Sequence, residues 1–122
     1  MPAPSPLPLY VYKILPEAPP SPLPDELPLS ALDAKDGFIH LSTAWETPAT
    51  ASWFYSHAKS IWLLKIPLTK IEGGVKWEEA RSGFAHLYGK GLRNDEITET
   101  KEYRRSEKGD WYSLLKNDTW LS

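Results

Sequence analysis

The chain has 122 residues, 41% of them hydrophobic and 25% charged, which suits one domain with a modest core and leaves no room for a second. It has no cysteine, so a disulfide framework, a thiolate metal site and a cysteine nucleophile are all excluded. Against 16 acidic side chains stand 14 basic ones, a net charge of −2, without the basic footprint of a general nucleic-acid binder. No apolar run approaches the roughly 20 residues of a membrane span, and the first residues lack the basic and apolar regions of a secretory signal. The expectation is a soluble, cytoplasmic protein with no membrane partner.

Residues 1–9 form a proline-rich arm. Pro2, Pro4, Pro6 and Pro8 alternate with small or apolar residues, a pattern that favours extended polyproline II. Such an arm is either a loose tether or a ligand for a protein partner with a proline-recognition surface. Tyr10 to Ile14 is rich in β-branched and aromatic residues and, with Leu9, reads as the first strand. The prolines from Pro16 to Pro28 then mark a structured loop whose Pro-Leu-Pro pieces pack across the surface.

Ser30 to Ala34 reads as a helical turn, and the Asp36-Gly37 turn launches a second strand, Phe38 to Ser42. Thr47 before Pro48 reads as an N-cap followed by a first-turn proline. The helix it opens runs to His57, with Ala51, Phe54, Tyr55 and Ala58 facing the sheet. Ile61 to Ile66 is a compact apolar strand ended by Pro67. Gly73-Gly74 turns the chain into the strand Val75 to Glu78. After a loop at Arg81-Ser82-Gly83 come the strands Phe84 to Tyr88 and Ile97 to Tyr103. Trp111, Tyr112, Leu114, Leu115, Trp120 and Leu121 make the tail too apolar to be solvated, so residues 103–122 should pack on a domain spanning 10–102. The fold class is α+β, strand-dominated, with one principal helix.

Two segments carry the chemistry: Phe38-Ile39-His40-Leu41-Ser42 and Phe84-Ala85-His86-Leu87-Tyr88. Alternate side chains of a strand share a face. Each segment therefore sets an aromatic ring, an imidazole and a hydroxyl on one side, and aliphatics on the other. The aliphatic faces need the core, and the histidine faces can line a cleft. A histidine there can hold a sugar hydroxyl or a phosphate, act as acid or base, or sit satisfied as a structural residue. A third stretch, Lys76 to Ser82, offers Trp77 for stacking, Glu78 for a developing positive charge and Arg81 for a phosphate or carboxylate. Nothing has the i, i+4 spacing of a zinc helix, and no metal is expected. Two His-x-Ser/Thr motifs would suit a cyclic phosphoesterase of the 2H type. His40-Leu41-Ser42 fits that motif, but Tyr88 stands where the second short hydroxyl is needed.

Tyr12-Lys13-Ile14, Asp36 to Thr43, Trp77-Glu78 and His86-Leu87-Tyr88-Gly89, in this order and spacing, resemble the domain-of-unknown-function 952 family over about residues 10–100. The resemblance implies an ADP-ribosyltransferase-like fold, distantly like that of NAD-dependent RNA 2′-phosphotransferases, with a bent, split, antiparallel-rich sheet around a nucleotide-sized cleft. It implies NAD as the possible cofactor and a nucleotide or other small molecule as the ligand. Any reaction would be ADP-ribosyl or phosphoryl transfer; the alternative is a non-catalytic module that binds a small ligand or a protein. His40, Glu78 and His86 are the candidate catalytic residues, and Lys13, Ser42, Thr43, Trp77, Arg81 and Tyr88 the candidate ligand contacts.

Overall fold

The computed structural model describes residues 3–78 and 84–122. In chain order the elements are β1 (Tyr10–Leu15), α1 (Ala31–Asp36), β2 (Ile39–His40), α2 (Thr47–Phe54), β3 (Ser60–Pro67), β4 (Val75–Glu78), β5 (Phe84–Leu87), β6 (Glu99–Arg104) and α3 (Trp111–Leu115). They form an α+β fold built on two three-stranded antiparallel sheets, ordered β1-β3-β6 and β2-β5-β4. The expected loop at Arg81-Ser82-Gly83 lies outside the described residues.

A bridge between Tyr12 and Ser42 joins the sheets, with the backbone N–H of each residue donating to the carbonyl of the other at 2.7 and 2.9 Å. The first sheet packs apolar side chains on both faces, which explains why β1 and β3, apart from Lys13 and Lys65, read as apolar runs rather than alternating ones. Val11 and Ile66 pack with Ile39, Leu41, Ala85 and Leu87 from the second sheet. Ile14, Ile61 and Leu63 face the other way, toward Ala51 of α2 and Trp111 and Leu115 of α3. Ile39, Leu41, Ala85 and Leu87 thus fill the core as the strand alternation predicts, leaving the opposite face of β2 and β5 to the histidines.

Helix α1 begins where Ser30 Oγ accepts the Asp33 backbone N–H and ends at Gly37, whose φ of +81° glycine adopts without strain. The start of α2 differs from the sequence reading. Glu46, not Thr47, is the N-cap residue. The chain is already turning at Thr43, whose carbonyl accepts from both the Glu46 and Thr47 backbone N–H groups, so Thr47 is drawn into the first turn. The helix also stops at Phe54 rather than His57. Phe54 is 64% exposed instead of facing the sheet, because the buried stripe runs through Ala51 toward Tyr55 and Phe54 lies at its edge. The last strand starts at Glu99, since the turn Asn94–Glu96 takes Ile97 out of it.

The tail folds back as expected, through fewer residues. Trp111 and Leu115, four apart on α3, are buried, and Trp120 and Leu121 pack beside them, while Tyr112 and Leu114 are exposed. The tail also holds the end of α2. Trp111 Nε1 donates to the Tyr55 carbonyl at 2.8 Å, Ser52 Oγ accepts the Tyr112 N–H at 2.8 Å, and the Arg105 guanidinium donates to the Ser56 and Ala58 carbonyls. Leu27 is buried in the proline loop, and Glu26 bridges to Arg93. Among the described residues no helix is long and apolar enough to cross a membrane.

Trp111 is 1% exposed, and its truncation removes both a core side chain and the hydrogen bond to Tyr55. Trp111→Ala is expected to cost about 3–5 kcal/mol, read by urea denaturation. A loss under about 1 kcal/mol would show that the tail is not part of the core.

Candidate functional site

His40 and His86 are direct cross-strand partners in the pairing of β2 with β5. Their rings point off the core face and meet edge to face, with centroids 5.4 Å apart. Phe38 covers them, stacked on His86 at 4.2 Å and tilted against His40 at 4.6 Å and Tyr88 at 5.0 Å. Phe38, His40, His86 and Tyr88 therefore share one face, as the strand alternation predicts.

Each imidazole is held by a carboxylate. His40 Nδ1 lies 2.7 Å from Asp33 Oδ1, and His86 Nδ1 lies 3.1 Å from Glu78 Oε1. A carboxylate only accepts, so the proton on each of these edges sits on Nδ1, and on His86 this leaves Nε2 for other work. His40 Nε2 is 3.1 Å from Asp36 Oδ2. Asp33 and Asp36 fall one helical turn apart on α1 and so face β2 together. Glu78 also accepts from the Tyr88 hydroxyl at 2.5 Å, and this bond together with that from His86 holds its carboxyl below the usual range.

Asp33 is the more deeply set of these acids, at 2% exposure. Its Oδ2 accepts from Lys13 Nζ at 2.6 Å, and its Oδ1 also accepts the His40 backbone N–H. Burial alone would raise this carboxyl. The Lys13 charge and hydrogen bond, with the two bonds from His40, outweigh burial and hold it below its ordinary 3.8. Burial also pushes the Lys13 ammonium down, against the pull of Asp33.

Ser42 completes the polar group. Its Oγ is 2.7 Å from Thr47 Oγ1, and Thr47 Oγ1 donates its one proton to the Thr43 carbonyl. Ser42 must then be the donor to Thr47, and its oxygen is left as an acceptor.

These groups line a cavity of about 400 Å³, toward the small end of the roughly 300–1,000 Å³ of ligand sites. Lys13, Asp33, Asp36, His40, Ser42 and His86 supply its polar wall, and Leu15, Pro16, Leu32, Phe54, Tyr55 and Phe84 its apolar one. A larger concavity of about 750 Å³ lies between the proline loop, which lines it with Pro20, Pro24, Leu27, Pro28 and Leu29, and residues of α1, β2 and the end of β5. It receives neither histidine, so the smaller cavity is the candidate site.

Among the expected site residues, Lys13, His40, Ser42 and His86 meet on this cavity. Glu78 and Tyr88 stand behind His86, not on the cavity wall. Thr43 bonds to Glu46 at the start of α2. Trp77 packs against the core between the sheets, and Arg81 lies outside the described residues. The sequence reading missed Asp33, Asp36 and Thr47. Its available signal was the pair of aspartates three apart on a helix ending just before a strand histidine.

A profile of the family described as protein of unknown function, DUF952, matches residues 24–100. The chain belongs to the DUF952 family. The matched span holds both histidines with all three of their carboxylates, whereas Lys13, on β1, precedes it. The crystal structure of protein CC0527 from Caulobacter crescentus is 30% identical and superposes with a TM-score of 0.72, covering 83% of this chain and 91% of that one. The solution structure of CC0527 is 27% identical with a TM-score of 0.69, covering 92% and 98%. No curated protein matches the chain.

Lys13→Met would leave Asp33 buried without its cation, at an expected cost of about 3 kcal/mol near neutral pH. The sign with pH follows from the carboxyl. In the native protein its folded value is depressed, so its contribution is complete above about pH 4 and is lost as the pH falls through that lower value. Without Lys13, burial dominates and raises the carboxyl, so protonation relieves the penalty. The stability gap between native protein and Lys13→Met should narrow from pH 7 to pH 4 in chemical denaturation. A gap that stays constant would show that Asp33 is not the group left unpaired.

Proposed function

We propose that this DUF952 protein binds a ribose-bearing nucleotide of the NAD+ kind in the 400 Å³ cavity, with the sugar against His40 and His86. The observation that carries the reading is the matched pair of histidines, cross-strand partners each fixed on its Nδ1 side by a carboxylate. Two such rings, with the Ser42 oxygen beside them as an acceptor, offer hydrogen-bonding groups already oriented before the ligand arrives. The family description and the CC0527 names carry no activity, so the reading rests on this geometry and on the resemblance to ADP-ribosyltransferases.

The same site supports transfer at the anomeric carbon. As the bond from C1′ to the nicotinamide nitrogen breaks, nicotinamide leaves with the bonding electron pair and positive charge develops on the sugar. A carboxylate facing that charge stabilises it. Asp36 and Glu78 each face a histidine, but Asp36 lines the cavity and Glu78 stands behind its wall, so Asp36 holds this position better. The incoming acceptor bonds to C1′ and gives its proton to His86 Nε2, since His40 Nε2 already faces Asp36. The phosphoesterase alternative has less support, since the Ser42 and Tyr88 hydroxyls are both engaged with protein groups and Lys13 is already paired.

The test is a thermal-shift panel of NAD+, ADP-ribose, nicotinamide, AMP and a 2′,3′-cyclic nucleotide, with an assay for released nicotinamide. A ligand at 100 times its dissociation constant adds about 2.7 kcal/mol, which is about 10 °C for a chain of this size. NAD+ or ADP-ribose should give such a shift, and His40→Ala and His40→Gln should abolish it. A shift without nicotinamide release would identify a binding module rather than a transferase. No shift with any member of the panel would overturn the reading.

A further inference from the structure

We infer that Phe54 is the platform on which the ligand's flat ring stacks, and that the site therefore selects a sugar joined to a planar heterocycle over a sugar alone. The inference rests on the proposed nucleotide reading and names the part of the ligand that reading leaves unassigned. The sequence offered Trp77 for stacking and Tyr88 as a further ligand contact. Neither lines the cavity: Trp77 packs against the core between the sheets, and Tyr88 is engaged by Phe38, Glu78 and the Lys76 ammonium, 4.7 Å from its ring centre.

Phe54 does line the cavity. It is the last residue of α2, and it shares a helix face with Thr50, four residues earlier, which lines the cavity as well. Its ring remains 64% exposed. An exposed aromatic ring at the end of a short helix brings nothing to the core, since Ala51 and Tyr55 already carry the packing against the first sheet. Leu32 of α1, also exposed, stands at the cavity with it. The cavity is thus polar where β2, β5 and α1 meet and apolar where the end of α2 rims it. A molecule that satisfies both walls has a hydroxyl-bearing part for His40, Ser42 and His86 and a flat, weakly polar part for Phe54. A nucleoside has that division, whereas a free sugar or sugar phosphate fills only the polar wall.

The position of the platform is fixed from outside the cavity. Trp111 Nε1 holds the carbonyl of Tyr55, the residue after Phe54, and the Tyr112 N–H is bonded to Ser52 Oγ two residues before it. The ring is therefore presented on a backbone anchored on both sides, as a stacking surface requires.

Isothermal titration with nicotinamide riboside, adenosine and ribose 5-phosphate tests this on the full chain, with Phe54→Ala, Phe54→Trp and His40→Gln beside the native protein. Because Phe54 is exposed, Phe54→Ala should keep the native unfolding midpoint, and circular dichroism checks this. Stacking on an aromatic side chain predicts about tenfold weaker nucleoside binding in Phe54→Ala, retained binding in Phe54→Trp and no change for ribose 5-phosphate. Nucleoside binding that is lost in His40→Gln but equal in Phe54→Ala would overturn the platform and leave the nucleotide reading standing. A native protein that binds none of the three would overturn both. Equal weakening of nucleoside and sugar phosphate in Phe54→Ala would also overturn it, by showing that Phe54 shapes the cavity without reading the ring.

Discussion

The Asp33 carboxylate ties together the elements that build the site. Through Oδ2 it holds Lys13 of β1, and through Oδ1 it holds both the ring and the backbone N–H of His40 in β2. Its own backbone is fixed at both ends of α1, by Ser30 at the start and by Gly37, whose N–H returns to the Asp33 carbonyl. A six-residue helix has little stability of its own in water, so α1 owes its place to this group. A buried carboxylate is costly unless paired and hydrogen-bonded, and here both conditions are met by residues from two different sheets. The ion pair thus contributes to registry between sheets as well as to charge balance. The backbone bridge between Tyr12 and Ser42, next to Lys13 and two residues beyond His40, closes the same joint from the other side.

Register does for His86 what Asp33 does for His40. Because β2 is two residues long, His40 can sit opposite His86 only if Ile39 pairs with Leu87. A slip of one residue would turn the aliphatics out and the histidines into the core. The core between the sheets thereby enforces the meeting of the two imidazoles. Phe38 then covers both rings, which confines each to the carboxylate edge that orients it. Such carboxylate–histidine pairs fix tautomer and direction together, so Asp33 and Glu78 set which way each Nε2 points.

Much of this was legible in the sequence, and the limits have physical causes. Strict alternation in two His-containing segments placed their aliphatics inward and their rings outward, and the structure agrees residue for residue at Phe38, Ile39, His40, Leu41, Ala85, His86 and Leu87. Alternation is local, so a strand shows it without its partners. The role of Asp33 was not legible, because its partners Lys13 and His40 come from strands separated by the proline loop and brought together only by the fold. Trp77 illustrates the opposite error: an aromatic beside an acidic residue suggested a ligand surface, but opposite Ala85 on β5 the ring packs against the core between the sheets. At Phe54 the helical spacing was read over a helix longer than the real one. Once α2 ends at Phe54, the ring has no further turn to bury it.

The two walls of the cavity have different sources in the chain. The histidines, Asp33, Asp36, Ser42 and Phe54 all fall within residues 24–100, the span that the family profile matches. Lys13, Leu15 and Pro16 precede that span, and the residues of the tail that clamp the end of α2 follow it. The chemistry of the polar wall is thus written in the matched span, whereas its electrostatic balance depends on β1 and the setting of its apolar rim on α3. Phe54 stands where these dependences cross: it belongs to the matched span by position, but its backbone is held by Trp111 and Tyr112. Changes to the tail can therefore move the rim of the cavity while leaving the imidazole pair, its carboxylates and the strand register in place.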